Sequence, residues 1–185
     1  MNIDQIACLW KEILTHLGEN VNRPGLLETP KRIAKMYQEM FRGYDLNQKP
    51  SLTVFDNDDD GIKYNQIIVD KGKFYSQCEH HLVPFFGHYY FGYVPGKKVV
   101  GLSKIARLVD YYSAKLQVQE RLGEEIVDEV QKVLQPKGII LILKAQHLCK
   151  QMRGVRKEGE MITSIVKGAF DEQNARQEFL KLIEI

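Results

Sequence analysis

The chain has 185 residues, enough for one ordinary domain with a real hydrophobic core. Its 44% hydrophobic and 27% charged residues exclude a disordered or fibrous chain. A net charge of +2 offers no general attraction to a nucleic acid, and no apolar run approaches the ~20 residues of a membrane span, so neither partner is expected.

Three cysteines, Cys8, Cys78 and Cys149, are too few and too scattered for a disulfide framework, which points to a reducing cytoplasm. The opening Met1-Asn2-Ile3-Asp4-Gln5-Ile6 has no basic stretch leading into an apolar one, so no secretory leader is expected.

Ile3, Ile6, Leu9, Ile13 and Leu17 recur at three- and four-residue spacing and predict an amphipathic helix ending near Gly18. A second helix follows, with Thr29 as cap, Pro30 in its first turn, Ile33, Met36 and Met40 on its apolar stripe, and Gly43 as its stop. Asp45 to Gly61 reads as a solvated loop whose acidic run Asp58-Asp59-Asp60 needs no cation. Strands are predicted at Asn65 to Lys71 and His88 to Val94, where β-branched and aromatic residues lie between turn residues. Ser103 can cap a helix carrying Ile105, Leu108 and Tyr112; the next carries Val118, Leu122, Ile126, Val130 and Leu134. Two more strands, Gly138 to Leu143 and Ile162 to Phe170, precede a closing helix at Gln173 to Ile183. This order predicts an α+β domain, an antiparallel sheet with helices packed on one face. Residues 1–45 form a helical N-terminal extension and 46–185 the main domain.

Cys78-Glu79-His80-His81 stands out chemically. Zinc takes thiolate sulfur and imidazole nitrogen, and Cys-x-x-His brings both to one ion across a tight turn. Cys149, in His147-Leu148-Cys149, is the other thiol within reach; on a continued strand His147 and Cys149 would face the same side. Two cysteines and one histidine leave a tetrahedral position open, the pattern of catalytic rather than structural zinc. His80 and His147 would then be placed to move protons near neutral pH. A buried Cys149 beside surface histidines is the plainer alternative, and for Cys8 that plain reading is adopted.

The run Cys78-Glu79-His80-His81-Leu82-Val83-Pro84-Phe85-Phe86-Gly87 resembles the signature of the GTP cyclohydrolase I family. So do Gly101-Leu102-Ser103-Lys104-Ile105-Ala106-Arg107, Gln117-Val118-Gln119-Glu120-Arg121-Leu122, Met152-Arg153-Gly154-Val155, and Glu28-Thr29-Pro30-Lys31-Arg32 near the start. The resemblance implies a tunnelling fold. It also implies zinc on Cys78, His81 and Cys149, and a homodecamer of two stacked pentamers with active sites between subunits. GTP is the implied substrate, attacked by activated water at C8 and released as a dihydropterin triphosphate and formate.

By the same resemblance His80 is the general acid at N7, while His147 and Ser103 serve the ribose rearrangement. Gln119 and Glu120 match the base-recognition positions; Lys104, Arg107, Arg153 and Arg32 match the triphosphate contacts, where guanidinium forks suit phosphate oxygens. A helix-capping Ser103 is compatible with its implied role, and Gln119-Glu120 could also be a solvated helix-surface pair. Two readings compete with the enzyme. A nitrile reductase of the same fold would not need the Cys-His-Cys set, and a non-catalytic zinc-stabilised or purine-binding module would have no use for His80.

Overall fold

The computed structural model describes residues 1–184. Two helices lead the chain, α1 (Ile3–His16) and α2 (Thr29–Met40), packed chiefly against each other, with Trp10 meeting Tyr37 edge-on at 6.0 Å. Asn2 caps α1 by accepting from the Gln5 amide. Thr29 does not cap α2 as expected: Glu28 holds that place without a side-chain bond, and the Thr29 hydroxyl donates back to the Gly25 carbonyl. A Pro30 at the start of α2 leaves one fewer backbone donor there to satisfy.

After two single 3₁₀ turns come β1 (Val54–Asp56), β2 (Ile68–Cys78), β3 (Pro84–Val94) and β4 (Lys98–Val100). Then follow α3 (Ser103–Ser113), β5 (Leu116–Gln117), α4 (Gln119–Leu134) and β6 (Gly138–His147). The chain closes with α5 (Leu148–Gln151), β7 (Glu160–Gly168) and α6 (Gln173–Ile183). The main sheet runs β5-β2-β3-β6-β7, antiparallel except for the two-residue β2–β5 pairing; β1 and β4 form a separate antiparallel pair.

β2 and β3 are longer than the sequence pattern predicts, extending to Cys78 and back to Pro84. The ladder from Ile68↔Tyr93 to Gln77↔Pro84 is unbroken. Lys71-Gly72-Lys73 looks like a turn in isolation, but here Gly72 lies beneath the Tyr89 ring, where a Cβ would collide with it. Cross-strand packing overrides local propensity.

β6 divides the core by its alternation. Ile139, Leu141, Leu143 and Ala145 join Leu108 and Val109 of α3 and Leu122, Ile126 and Val130 of α4. Ile140 and Ile142 turn to the other face, against Phe170 and against Phe179 and Ile183 of α6. α3 and α4 therefore lie on one face as expected, and α6 adds a second, smaller layer behind the sheet. No helix among the described residues is long and apolar enough to cross a membrane.

A candidate metal centre at one end of the sheet

The β2–β3 connection folds tightly on itself. The Cys78 N–H donates to the Val83 carbonyl (2.9 Å) and the Leu82 N–H to the Cys78 carbonyl (2.8 Å). Leu82 takes φ +53°, a left-handed conformation that costs a residue with a Cβ roughly 1–2 kcal/mol. The Glu79 N–H donates to the Gln117 carbonyl (3.0 Å), tying the turn to β5. The result buries the Cys78 thiol at 6% exposure while His80 and His81 stay exposed.

The second limb departs from expectation. Cys149 is not on a continued strand: β6 ends at His147, still extended, and the chain enters the short helix α5 at Leu148. His147 and Cys149 therefore do not share a strand face. The helical turn instead swings Cys149 toward the β2–β3 turn. One ligand atom each from Cys78, His81 and Cys149 all lie within 4.8 Å of one another. His81 Nδ1 is 3.9 Å from Cys78 Sγ. Tetrahedral zinc, with bonds of 2.0–2.3 Å, holds such donors about 3.5–3.8 Å apart, so the group fits the ion after a small contraction. Burial, and then the neighbouring Cys78 sulfur, push the Cys149 thiol up, which is the strain a cation relieves by holding both sulfurs as thiolates.

Charged groups surround the cluster. Arg153 Nη1 lies 2.9 Å from His81 Nε2, and His80 Nδ1 lies 3.8 Å from Cys78 Sγ. Arg121 bonds Glu79 and, through Nε, Gln117 Oε1 at 3.0 Å. The buried Gln117 amide in turn donates to Glu125 (2.7 Å) and to the Tyr112 carbonyl (3.1 Å). This Glu79–Arg121–Gln117 chain steadies the turn, and the sequence reading assigned these residues no role. Gln117 and Arg121 are four apart across the start of α4, the spacing at which they can meet.

His147 is half-buried, and that burial holds its pKa below the ordinary imidazole value. Its ring stacks on Phe85, its register partner in β3, with centroids 4.7 Å apart and planes 6° from parallel. Its Nε2 is 2.9 Å from Gln119 Oε1. Gln119 is 1% exposed, not the solvated helix residue its neighbours suggest; Glu120 beside it is exposed.

The remaining predicted residues lie elsewhere. Leu102 and Ile105 line one cavity with Ile68, Val69 and Tyr93, which puts Ser103 and Lys104 at the far end of β2 from Cys78. Ten strand steps separate those ends, on the order of 30 Å. Ser103 is the first residue of α3 rather than its cap, a place Leu102 takes with no side-chain bond. Arg107 is exposed beside Arg42, Gln48 and Asp110. Arg32 is exposed in the first turn of α2. Within one chain, then, the metal group with Arg153 and the start of α3 with Lys104 lie at opposite ends of β2, while Arg107 lies further along α3, beside Arg42 and Asp110.

The sequence model described as GTP cyclohydrolase I matches residues 6–184. Relatives carrying the name GTP cyclohydrolase 1 include that of Saccharomyces cerevisiae, 44% identical over 98% of this chain and 74% of its own length. That of Clostridium perfringens is 42% identical over 95% of this chain and 94% of its own, and that of Finegoldia magna 48% over 93% and 92%. With the Cys-His-Cys group assembled from two distant segments and a match along nearly its whole length, the chain belongs to the GTP cyclohydrolase I family.

Proposed function

We propose that this protein carries out the GTP cyclohydrolase I reaction. Water opens the imidazole ring of GTP, C8 leaves as formate, and the remainder closes to 7,8-dihydroneopterin triphosphate, the first step toward tetrahydrofolate and other pterins. The observation that carries the reading is the convergence of the three donors Cys78, His81 and Cys149 beside two further histidines. A zinc ion, which Cys78, His81 and Cys149 would hold, would supply a hydrolytic nucleophile at neutral pH.

The protein groups do the rest. His80, exposed at the rim and next to Glu79, delivers a proton to N7 as the ring opens. His147 and Ser103 serve the proton transfers of ribose opening and ring closure. Glu120 accepts from the guanine ring N–H and the exocyclic amine, with Gln119 beside it. Arg153, Lys104, Arg107 and Arg32 take the triphosphate.

Because Lys104 lies about 30 Å of strand from Cys78, each site draws it, and with it the rest of α3, from a neighbouring copy. The oligomer we propose is a homodecamer of two stacked pentamers with GTP bound between subunits. Residues 1–45 are a helical extension of the catalytic part, 46–185. The two thiol ligands need a reducing compartment, which favours the cytoplasm.

Zinc-loaded protein incubated with GTP should release formate and a pterin, fluorescent after mild oxidation, in equal amounts, both abolished by a chelator. Formate without pterin would point to failed ring closure and against the roles of His147 and Ser103. Neither product, from zinc-loaded and assembled protein, would favour a non-catalytic zinc-stabilised module.

A further inference from the structure

We infer that Gln119 is a positioning residue for His147, fixing the orientation of the imidazole by accepting a hydrogen bond from its Nε2–H. The inference rests on the proton-transfer role proposed for His147.

The geometry leaves the Gln119 amide one orientation. Its Nε2 lies 3.0 Å from the Leu143 carbonyl, 3.1 Å from the Met161 carbonyl and 3.1 Å from the Thr163 hydroxyl. Two of those three are carbonyl oxygens that can only accept, so the amide nitrogen faces them and cannot exchange places with the oxygen. Oε1 is thereby aimed at His147 Nε2, 2.9 Å away, and an amide oxygen can only accept. The proton between them belongs to His147 Nε2.

Phe85, stacked flat on the ring, fixes its plane, so the ring cannot turn to offer Nε2 elsewhere without losing that contact. The Leu143 and Met161 carbonyls come from β6 and β7, so the sheet itself sets the ring's orientation through a helix residue. Both hydrogens of the amide are spent on three acceptors, so the Gln119 side chain has no free N–H to read a purine edge. Discrimination of the base then falls to Glu120 and to backbone groups.

The test uses zinc-loaded protein labelled with ¹⁵N-histidine, with the His147 signals identified from a His147→Gln sample. Wild type should show a protonated Nε2, and Gln119→Leu should lose that fixed pattern. In Gln119→Leu kcat for GTP should fall on the order of 10- to 100-fold, the usual cost of losing an orienting partner, with KM nearly unchanged. Gln119→Met keeps the side chain's length without its amide, should lose the fixed pattern likewise, and serves if the leucine variant folds poorly.

A wild-type ring protonated on Nδ1 with bare Nε2 would overturn the inference. So would a Gln119→Leu protein with an unchanged ¹⁵N pattern and a raised KM, the signature of base reading. If wild-type protein releases no formate from GTP, the cyclohydrolase reading fails, while the ¹⁵N pattern still decides the Gln119–His147 bond.

Discussion

At the scale of residues, the metal group and the acid beside it separate cleanly by experiment. With Cys149 as a proposed ligand, Cys149→Ala should weaken zinc binding by more than about 100-fold and abolish turnover with it, seen as metal lost on dialysis. His80 is no ligand in this arrangement. His80→Ala should hold stoichiometric zinc while kcat falls about 10²- to 10⁴-fold, the range for a lost general acid; near-normal turnover would remove His80 from that role. The grouping of Cys78, His81 and Cys149 was legible in the sequence because zinc chemistry restricts both residue type and spacing. Gln119 was not. A glutamine in the first turn of a helix looks solvated until β6 and β7 are known to bring two carbonyls and a threonine around it. Phe85 was equally silent, since the stack on His147 depends on β3–β6 register rather than on any local pattern.

Among the elements, β3 and β6 carry the site: one starts where the metal turn ends, the other delivers His147. They come close at Gly87, where an added Cβ would run into the Lys144 carbonyl and the Ala145 Cα. Gly87→Ala should therefore force the strands apart, destabilising the protein by about 2–4 kcal/mol in urea unfolding at fixed protein concentration. Gly154, at φ +63° with open space around it, is the control: its alanine variant carries only backbone strain and should cost about 1 kcal/mol. Equal losses would mean that the close approach at Gly87 is relieved cheaply. The longer elements and their order were readable from periodicity, the last helix to its boundaries, whereas β1 lies inside the stretch expected to be a solvated loop and the short β4 and β5 had no local signal. What local pattern missed was set by pairing: the full length of β2 and β3, and the change from strand to helix at Leu148 that aims Cys149. α6 crossed to the second face because β6 is apolar on both sides, and a strand apolar throughout does not say which helix covers which side.

The whole molecule is incomplete as one chain. Among the described residues β7 pairs on one side only, and β2 beyond its short contact with β5 has a bare flank as well. Two such edges in one sheet invite pairing with further copies. Tyr75 and Ile162, at 67% and 56% exposure on those edge strands, are large apolar groups that a neighbouring copy would cover. In the proposed assembly one chain's α3, with Lys104 and Arg107, serves another chain's Cys78 end, and this yields a direct test. A Cys149→Ala chain lacks the metal, and a Lys104→Ala/Arg107→Ala chain lacks phosphate cations; each alone should be inactive. Co-expressed in equal amounts and mixed at random within closed rings, they should leave about one quarter of the sites with both halves intact. Activity near a quarter of wild type in the mixed assembly would mean that sites are shared between chains. No recovery in assemblies shown to contain both chains would mean that each chain builds its site alone, and that the cations of α3 serve something other than the triphosphate.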